Sequence, residues 1–155
     1  MRNYDIGVFF MKTNGGFLIT KIKQLGDRIF ERVLSEKNID AFNGPQGRIL
    51  YVLWQEDGIP IKVLSDKCGL AITTLTTMLE RMEKSDLICR KQDVTDKRKT
   101  LLYLTDTARG LKKVYDAVSD EMGAIYYKGF TDEEILKFEE YLDRIRVNLE
   151  ECSKL

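Results

Sequence analysis

Two groups of residues in this sequence are suited to chemistry, and both are hydrogen-bond donors rather than acid–base pairs. The first is Thr73, Thr74, Thr76, Thr77 and Arg81, clustered within one short stretch. The second is Asp96, Lys97, Arg98 and Lys99, a basic run led by an acid. Hydroxyls and guanidinium groups at such spacing suit the reading of base edges and phosphates on a nucleic acid. Catalysis is poorly served by contrast. The 155 residues contain no histidine, which removes imidazole bases and His metal ligands. No Gly-rich phosphate loop, no G-x-S-x-G and no paired carboxylates in an apolar frame occur, so the chain reads as a non-enzyme needing no cofactor or metal.

The three cysteines, Cys68, Cys89 and Cys152, are scattered without a C-x-x-C pair, which argues against a disulfide framework or a thiolate zinc site. They read as small apolar fillers. The other reading is a redox-sensing thiol, with Cys68 favoured because Lys67 beside it could stabilise a thiolate.

Formal charge is zero, 25 cations against 25 anions, but it is unevenly spread. Residues 81–100 carry a local +3 and residues 131–155 a local −4. A basic working surface in the middle of the chain follows from that gradient. Hydrophobic residues make up 43% and charged residues 32%, a globular composition that excludes disorder. No apolar run approaches the roughly 18–20 residues of a membrane span. The start has a short apolar patch (Val8, Phe9, Phe10, Met11) without the features of a signal peptide. The expectation is a cytoplasmic protein.

Hydrophobic periodicity supplies the elements that position the donors. Leu18, Ile22, Leu25, Ile29 and Val33 mark one face of a helix over 17–35. Asn43-Gly44-Pro45 opens a second, carrying Ile49, Leu50, Leu53 and Trp54 and ending at Asp57-Gly58. A third covers 61–67 and closes at Gly69. A fourth covers about 71–85, with Ile72, Leu75, Met78, Leu79 and Met82 as its expected buried stripe. Its Thr residues lower helix propensity, so something other than propensity keeps them there. Thr73, Thr77, Glu80, Arg81 and Lys84 face away from that stripe.

The period then changes. Residues 87–93 and 100–105 suit two strands around the charged 94–99 tip, with Leu87, Leu102 and Leu104 resting on the preceding helices. Asp106 is expected to cap a fifth helix bearing Leu111, Val114, Val118, Met122 and Ile125, ended by Gly129. Thr131 and Glu134 form a capping box for the last helix. There Ile135, Phe138, Leu142, Ile145 and Leu149 follow a heptad seam. The seam's partner is helix one, helix five or a second subunit, and dimerisation is the preferred reading.

The fold class is therefore mainly α with a small β-hairpin wing: a winged helix-turn-helix head over 41–105 plus a helical dimerisation region over 15–36 and 106–152, all within one domain. In such a head the second helix of the turn presents side chains to the major groove, and the cationic wing reaches phosphates or the minor groove.

The run Thr76-Thr77-Met78-Leu79-Glu80-Arg81-Met82-Glu83-Lys84, then Leu87-Ile88, Asp96-Lys97-Arg98 and Leu104-Thr105, resembles the MarR family of transcriptional regulators over about residues 15–152. That family shows a T-R-x-L-D-R-L-E-like recognition helix, a D-x-R wing and a closing L-T. The resemblance implies an obligate homodimer, joined through the first, fifth and sixth helices, that binds a palindromic double-stranded DNA operator. It places Thr73, Thr74, Thr76, Thr77 and Arg81 at the major groove and Arg98 in the minor groove, oriented by Asp96. From the sequence alone Asp96 could equally cap the turn. The resemblance further implies a ligand-responsive protein, most often a repressor, with an unidentified small aromatic or anionic effector. Tyr51, Trp54, Tyr103 and Tyr115 are the aromatics in the relevant neighbourhood, and their other reading is as packed core.

The chain departs from the family pattern at Thr77, where an Arg is usual, and at Asp86, where a Gly is usual. A lost cation and a zero net charge weaken salt-dependent attraction to any DNA, so moderate affinity is expected. The rival reading is a winged helix used as a protein-interaction module without DNA binding.

Overall fold

The computed structural model describes residues 11–154. Residues 1–10 lie outside the described residues, and with them Val8, Phe9 and Phe10 of the N-terminal apolar patch. The elements run α1 (Gly15–Glu36), α2 (Gly44–Gln55), β1 (Ile59–Pro60), α3 (Ile61–Cys68), α4 (Ile72–Lys84), β2 (Ile88–Gln92), β3 (Thr100–Leu104), α5 (Asp106–Gly110), α6 (Lys112–Tyr126) and α7 (Asp132–Ser153). Contacts divide the chain into two compact units, one ending at Tyr115 and the other starting at Asp116.

In the first unit, α2 begins where its sequence signals placed it. Gln46 N donates to Asn43 Oδ1 at 2.9 Å and Asn43 N donates back to Gln46 Oε1 at 3.1 Å, a reciprocal cap with Pro45 in the first turn. Ile49, Leu50 and Leu53 of α2 are fully buried, as are Leu64 of α3 and Leu75, Leu79 and Met82 of α4. Each such side chain contributes about 1.5–3 kcal/mol of burial free energy. Leu87, Leu102 and Leu104 are buried too, so the hairpin rests on the helices as its apolar residues require. No polar or charged residue is buried among the described residues.

The sheet has a third strand that sequence periodicity did not show. Its order is β1-β3-β2, antiparallel throughout, with Ile59 opposite Leu102 and Ile88 opposite Leu104. Two residues are too few for alternation, and Pro60 ends the pairing because it has no N–H to donate. Gly58 leads into this strand at φ 69°, and a Cβ there would stand 2.9 Å from the Tyr103 ring. Both the conformation and the space therefore call for glycine. Asp57 fastens the same corner: its Oδ2 accepts from Leu104 N at 3.0 Å and from Arg109 Nη2 at 2.7 Å.

The expected fifth helix is divided in two. Thr105, not Asp106, is its N-cap, accepting from Ala108 N at 3.1 Å. The first piece stops at Gly110, and Leu111 N turns back to Ala108 O at 3.2 Å before α6 starts. Glycine's high conformational entropy makes it a weak interior residue for a helix, which accounts for the break.

In the second unit, α7 opens with the expected box, Glu134 N donating to Thr131 Oγ1 and Thr131 N to Glu134 Oε2. The turn before it passes through Gly129 at φ 85°. Tyr127 sets its ring edge-on to Phe130 and Phe138, and its hydroxyl donates to Glu139 Oε1 at 2.8 Å. Desolvation, helped by that carboxylate, pushes the Tyr127 phenol up to about 12. None of the residues of α7 is buried. No helix among the described residues is long and apolar enough to cross a membrane.

Candidate nucleic-acid interface

The helix expected to read bases is α4. Leu75, Leu79 and Met82 anchor it to the core, and Thr73, Thr74, Thr77, Glu80, Arg81 and Lys84 are exposed, with Thr76 half-buried. Its first turn carries no acid and no side-chain cap from Ala71, so nothing there repels a phosphate. One of its hydroxyls is firmly engaged and a second only weakly. Thr76 Oγ1 donates to Ile72 O at 2.8 Å, and Thr77 Oγ1 to Thr73 O at 3.5 Å.

The end of α4 is fixed by Asp86, at the position where the family it resembles usually has glycine. Asp86 sits at φ 57°, with Leu87 N donating to Met82 O and Asp86 N to Glu83 O, the paired bonds of a Schellman stop. A non-glycine residue there costs about 1–2 kcal/mol. The side chain offsets this by accepting from Thr107 Oγ1 at 3.0 Å, while Thr105 Oγ1 donates to Asp86 O. The helix end is thereby tied to α5, and Arg90 Nε bonds Glu83 Oε2 at 2.9 Å to tie it to β2.

The wing tip is built from two aspartates turned inward and cations turned outward. Asp93 Oδ1 accepts from Thr95 N and Thr95 Oγ1, at 2.9 and 2.8 Å. Asp96 Oδ1 accepts from Arg98 N at 3.1 Å, and its carboxylate also takes Arg98 Nε at 3.1 Å and Nη2 at 3.3 Å. Asp96 thus fills both roles open to it, capping the turn and orienting the guanidinium. The Arg98 bonds hold its carboxyl below the usual range, and the bonds from Thr95 do the same for Asp93. The Arg98 side chain is 91% exposed, and Lys97 and Lys99 flank it in solvent.

Some readings of single residues change. Ile72, expected in the buried stripe, is 46% exposed at the start of α4, and Val94 stands out at the wing tip. Cys68 is not an activated thiol: burial raises its pKa, and Lys67 Nζ is turned to Glu56 Oε2 at 3.2 Å. Of the aromatics, Tyr115 gathers Phe30, Phe42, Tyr51 and Trp54 around it, with centroids 5.1–6.2 Å away. Trp54 Nε1 donates to Ala108 O at 3.0 Å. Tyr103 is elsewhere, under the Lys91 ammonium. An open cleft of about 530 Å³ lies between the end of α1 and the start of α2, lined by Glu31, Asp40 and Gln46 over Leu34, Ile39 and Phe42. No group of three or more metal-ligating side chains occurs among the described residues.

Helix, turn, recognition helix and a hairpin with a cationic tip define a winged helix-turn-helix. Residues 42–100 match the sequence model of the MarR family. Over that region the chain is similar to the MarR family. Over 81 residues the chain is 37% identical to the HTH-type transcriptional regulator TtmR of Methylorubrum extorquens, covering 52% of this chain and 42% of that one. The chain therefore spans less than half of that relative's length. It is 29% identical over 99 residues to the HTH-type transcriptional regulator MgrA of Staphylococcus aureus, covering 63% of this chain and 67% of that one. A MarR-family transcriptional regulator from Listeria monocytogenes, crystallised with a 26mer DNA, superimposes with a TM-score of 0.77 at 25% identity over 90% of both chains.

Proposed function

We propose that this chain is a sequence-specific, DNA-binding transcriptional regulator, a cytoplasmic homodimer that represses by occupying a palindromic operator and responds to a small-molecule effector. The observation that carries the reading is the pairing, in one unit, of an exposed Thr/Arg face on α4 with a wing whose Arg98 is held outward by Asp96. The first suits base edges in the major groove, and the second suits phosphates or a narrow minor groove. The names of the relatives, all transcriptional regulators, support it, as does the DNA in the Listeria structure. The dimer is supported by the seam on α7, where Phe138, Leu142, Ile145 and Leu149 are all exposed and Ile135 is only half-covered.

The effector reading keeps a small aromatic or anionic molecule. The ring cluster around Tyr115 supports an aromatic one. The cleft at Glu31 and Asp40 has no cation in its lining to receive an anion.

The test is selection of bound duplexes from a random pool at about 0.1–0.15 M salt, where non-specific attraction is suppressed. The wild type should enrich a palindrome, and Thr73→Ala or Thr74→Ala should relax which sequences are accepted at defined positions. Equal loss on every sequence would remove α4 as the base reader.

A second reading, a protein-interaction module, is favoured by the zero net charge and by Glu80 on the exposed face of α4. Replacing Lys97, Arg98 and Lys99 with Ala separates the two: the regulator loses its activity in cells, whereas the interaction module keeps it.

A further inference from the structure

We infer that Ile72 is a specificity-determining residue that reads the C5-methyl group of a thymine in each half-site. The inference rests on the DNA-binding reading above and adds a base identity to it.

Ile72 is the first residue of α4 and lies 46% exposed on a helix whose other exposed positions are Thr, Glu, Arg and Lys. The N-terminal residues of a recognition helix are the ones that meet base edges in the major groove. Its spacing from Leu75 would place it with the core, yet it faces solvent. Thr76, one turn on, shares its face. Thr76 Oγ1 donates its proton to Ile72 O at 2.8 Å, so toward a ligand Thr76 offers a methyl group and an oxygen lone pair, not a donor. The groove-entering end of the helix is thus less polar than its sequence suggests. Among the four bases, only thymine presents an apolar group in the major groove. An isoleucine matches that group and offers no hydrogen bond to any base, and the donor-spent Thr76 beside it gives guanine's acceptors no partner.

The experiment uses the full chain and the duplex it enriches from a random pool. Each thymine is replaced in turn by deoxyuridine, which removes the methyl and nothing else, and binding is followed by fluorescence anisotropy. One thymine per half-site should show about fourfold weaker binding on replacement, the equivalent of about 0.8 kcal/mol for one buried methyl. Ile72→Ala should bind the thymine and deoxyuridine duplexes equally, and Ile72→Val should retain the preference. Unchanged thermal unfolding of Ile72→Ala would show that the loss is not one of folding.

A duplex bound equally with and without every thymine methyl overturns the inference and leaves the DNA reading intact. So does an Ile72→Ala variant that keeps the full preference. Failure to enrich any duplex overturns both.

Discussion

Asp96 grips Arg98 three times: Oδ1 accepts the backbone N–H and the Nε–H, each at 3.1 Å, and Oδ2 accepts from Nη2 at 3.3 Å. A side chain that is 91% exposed is thereby held in one direction without being buried. The entropy of ordering a long side chain is then partly spent before DNA arrives. Arg98→Ala should weaken duplex binding by about 1–3 kcal/mol and lower the salt slope by about one. Asp96→Asn, which keeps the backbone bond but loses the ion pair, should fall between. Anisotropy titrations across a salt series give both quantities; an unchanged slope for Arg98→Ala would remove Arg98 from the contact.

The same pair sets a pH dependence at the wing. Asp96 and Asp93 have carboxyls lowered from 3.8, so their contribution to wing order is fully present above that value and is lost as pH falls through their lower folded values. The amide resonances of Arg98 and Thr95 should therefore titrate together below pH 3.8. In Asp96→Asn the Arg98 response should vanish while that of Thr95 stays. A midpoint at or above 3.8 for both would contradict the geometry.

Asp86 ends α4 in a left-handed conformation that glycine adopts more readily. Its left-handed backbone at φ 57° is supported by the Thr107 hydroxyl bond. Asp86→Ala keeps the backbone cost and loses the bond, and should destabilise the fold by about 1–2 kcal/mol. Asp86→Gly loses the bond but removes the backbone cost, and should be close to neutral. Urea unfolding of the two variants ranks them; Ala tolerated better than Gly would refute this account of the helix stop.

Much of this architecture could be read along the chain. Leu75, Leu79 and Met82 are buried at the spacing that predicted them, α2 starts at the Asn43-Gly44-Pro45 signal, and the capping box of α7 closes at Thr131 and Glu134. The illegible parts are those set by tertiary context. A two-residue strand at Ile59 has no periodicity to read, and its pairing partner Leu102 lies 43 residues away. Ile72 obeys the helical spacing of its buried neighbours and yet lies outside, because spacing gives a face of the helix but not where the core ends. Lys67 precedes Cys68 in sequence but is turned to Glu56, so adjacency misstated the electrostatics of the thiol.

The heptad seam makes a prediction about assembly. Replacing Leu142 and Ile145 together with Asp puts two charges among the exposed apolar residues of α7. Within a dimer interface these would be unpaired and desolvated, which costs several kcal/mol each. The double variant should sediment as a folded monomer. A variant that remains dimeric would show that the seam is not the subunit contact.

Two copies of this chain are expected to read one duplex through α4 and the wing. Sedimentation velocity of the protein with a labelled duplex, enriched from a random pool at about 0.15 M salt, tests it most directly. The expected result is two chains per duplex, on a palindrome with half-sites about one helical turn apart. One chain per duplex, or folded protein that enriches no duplex at all, would contradict it.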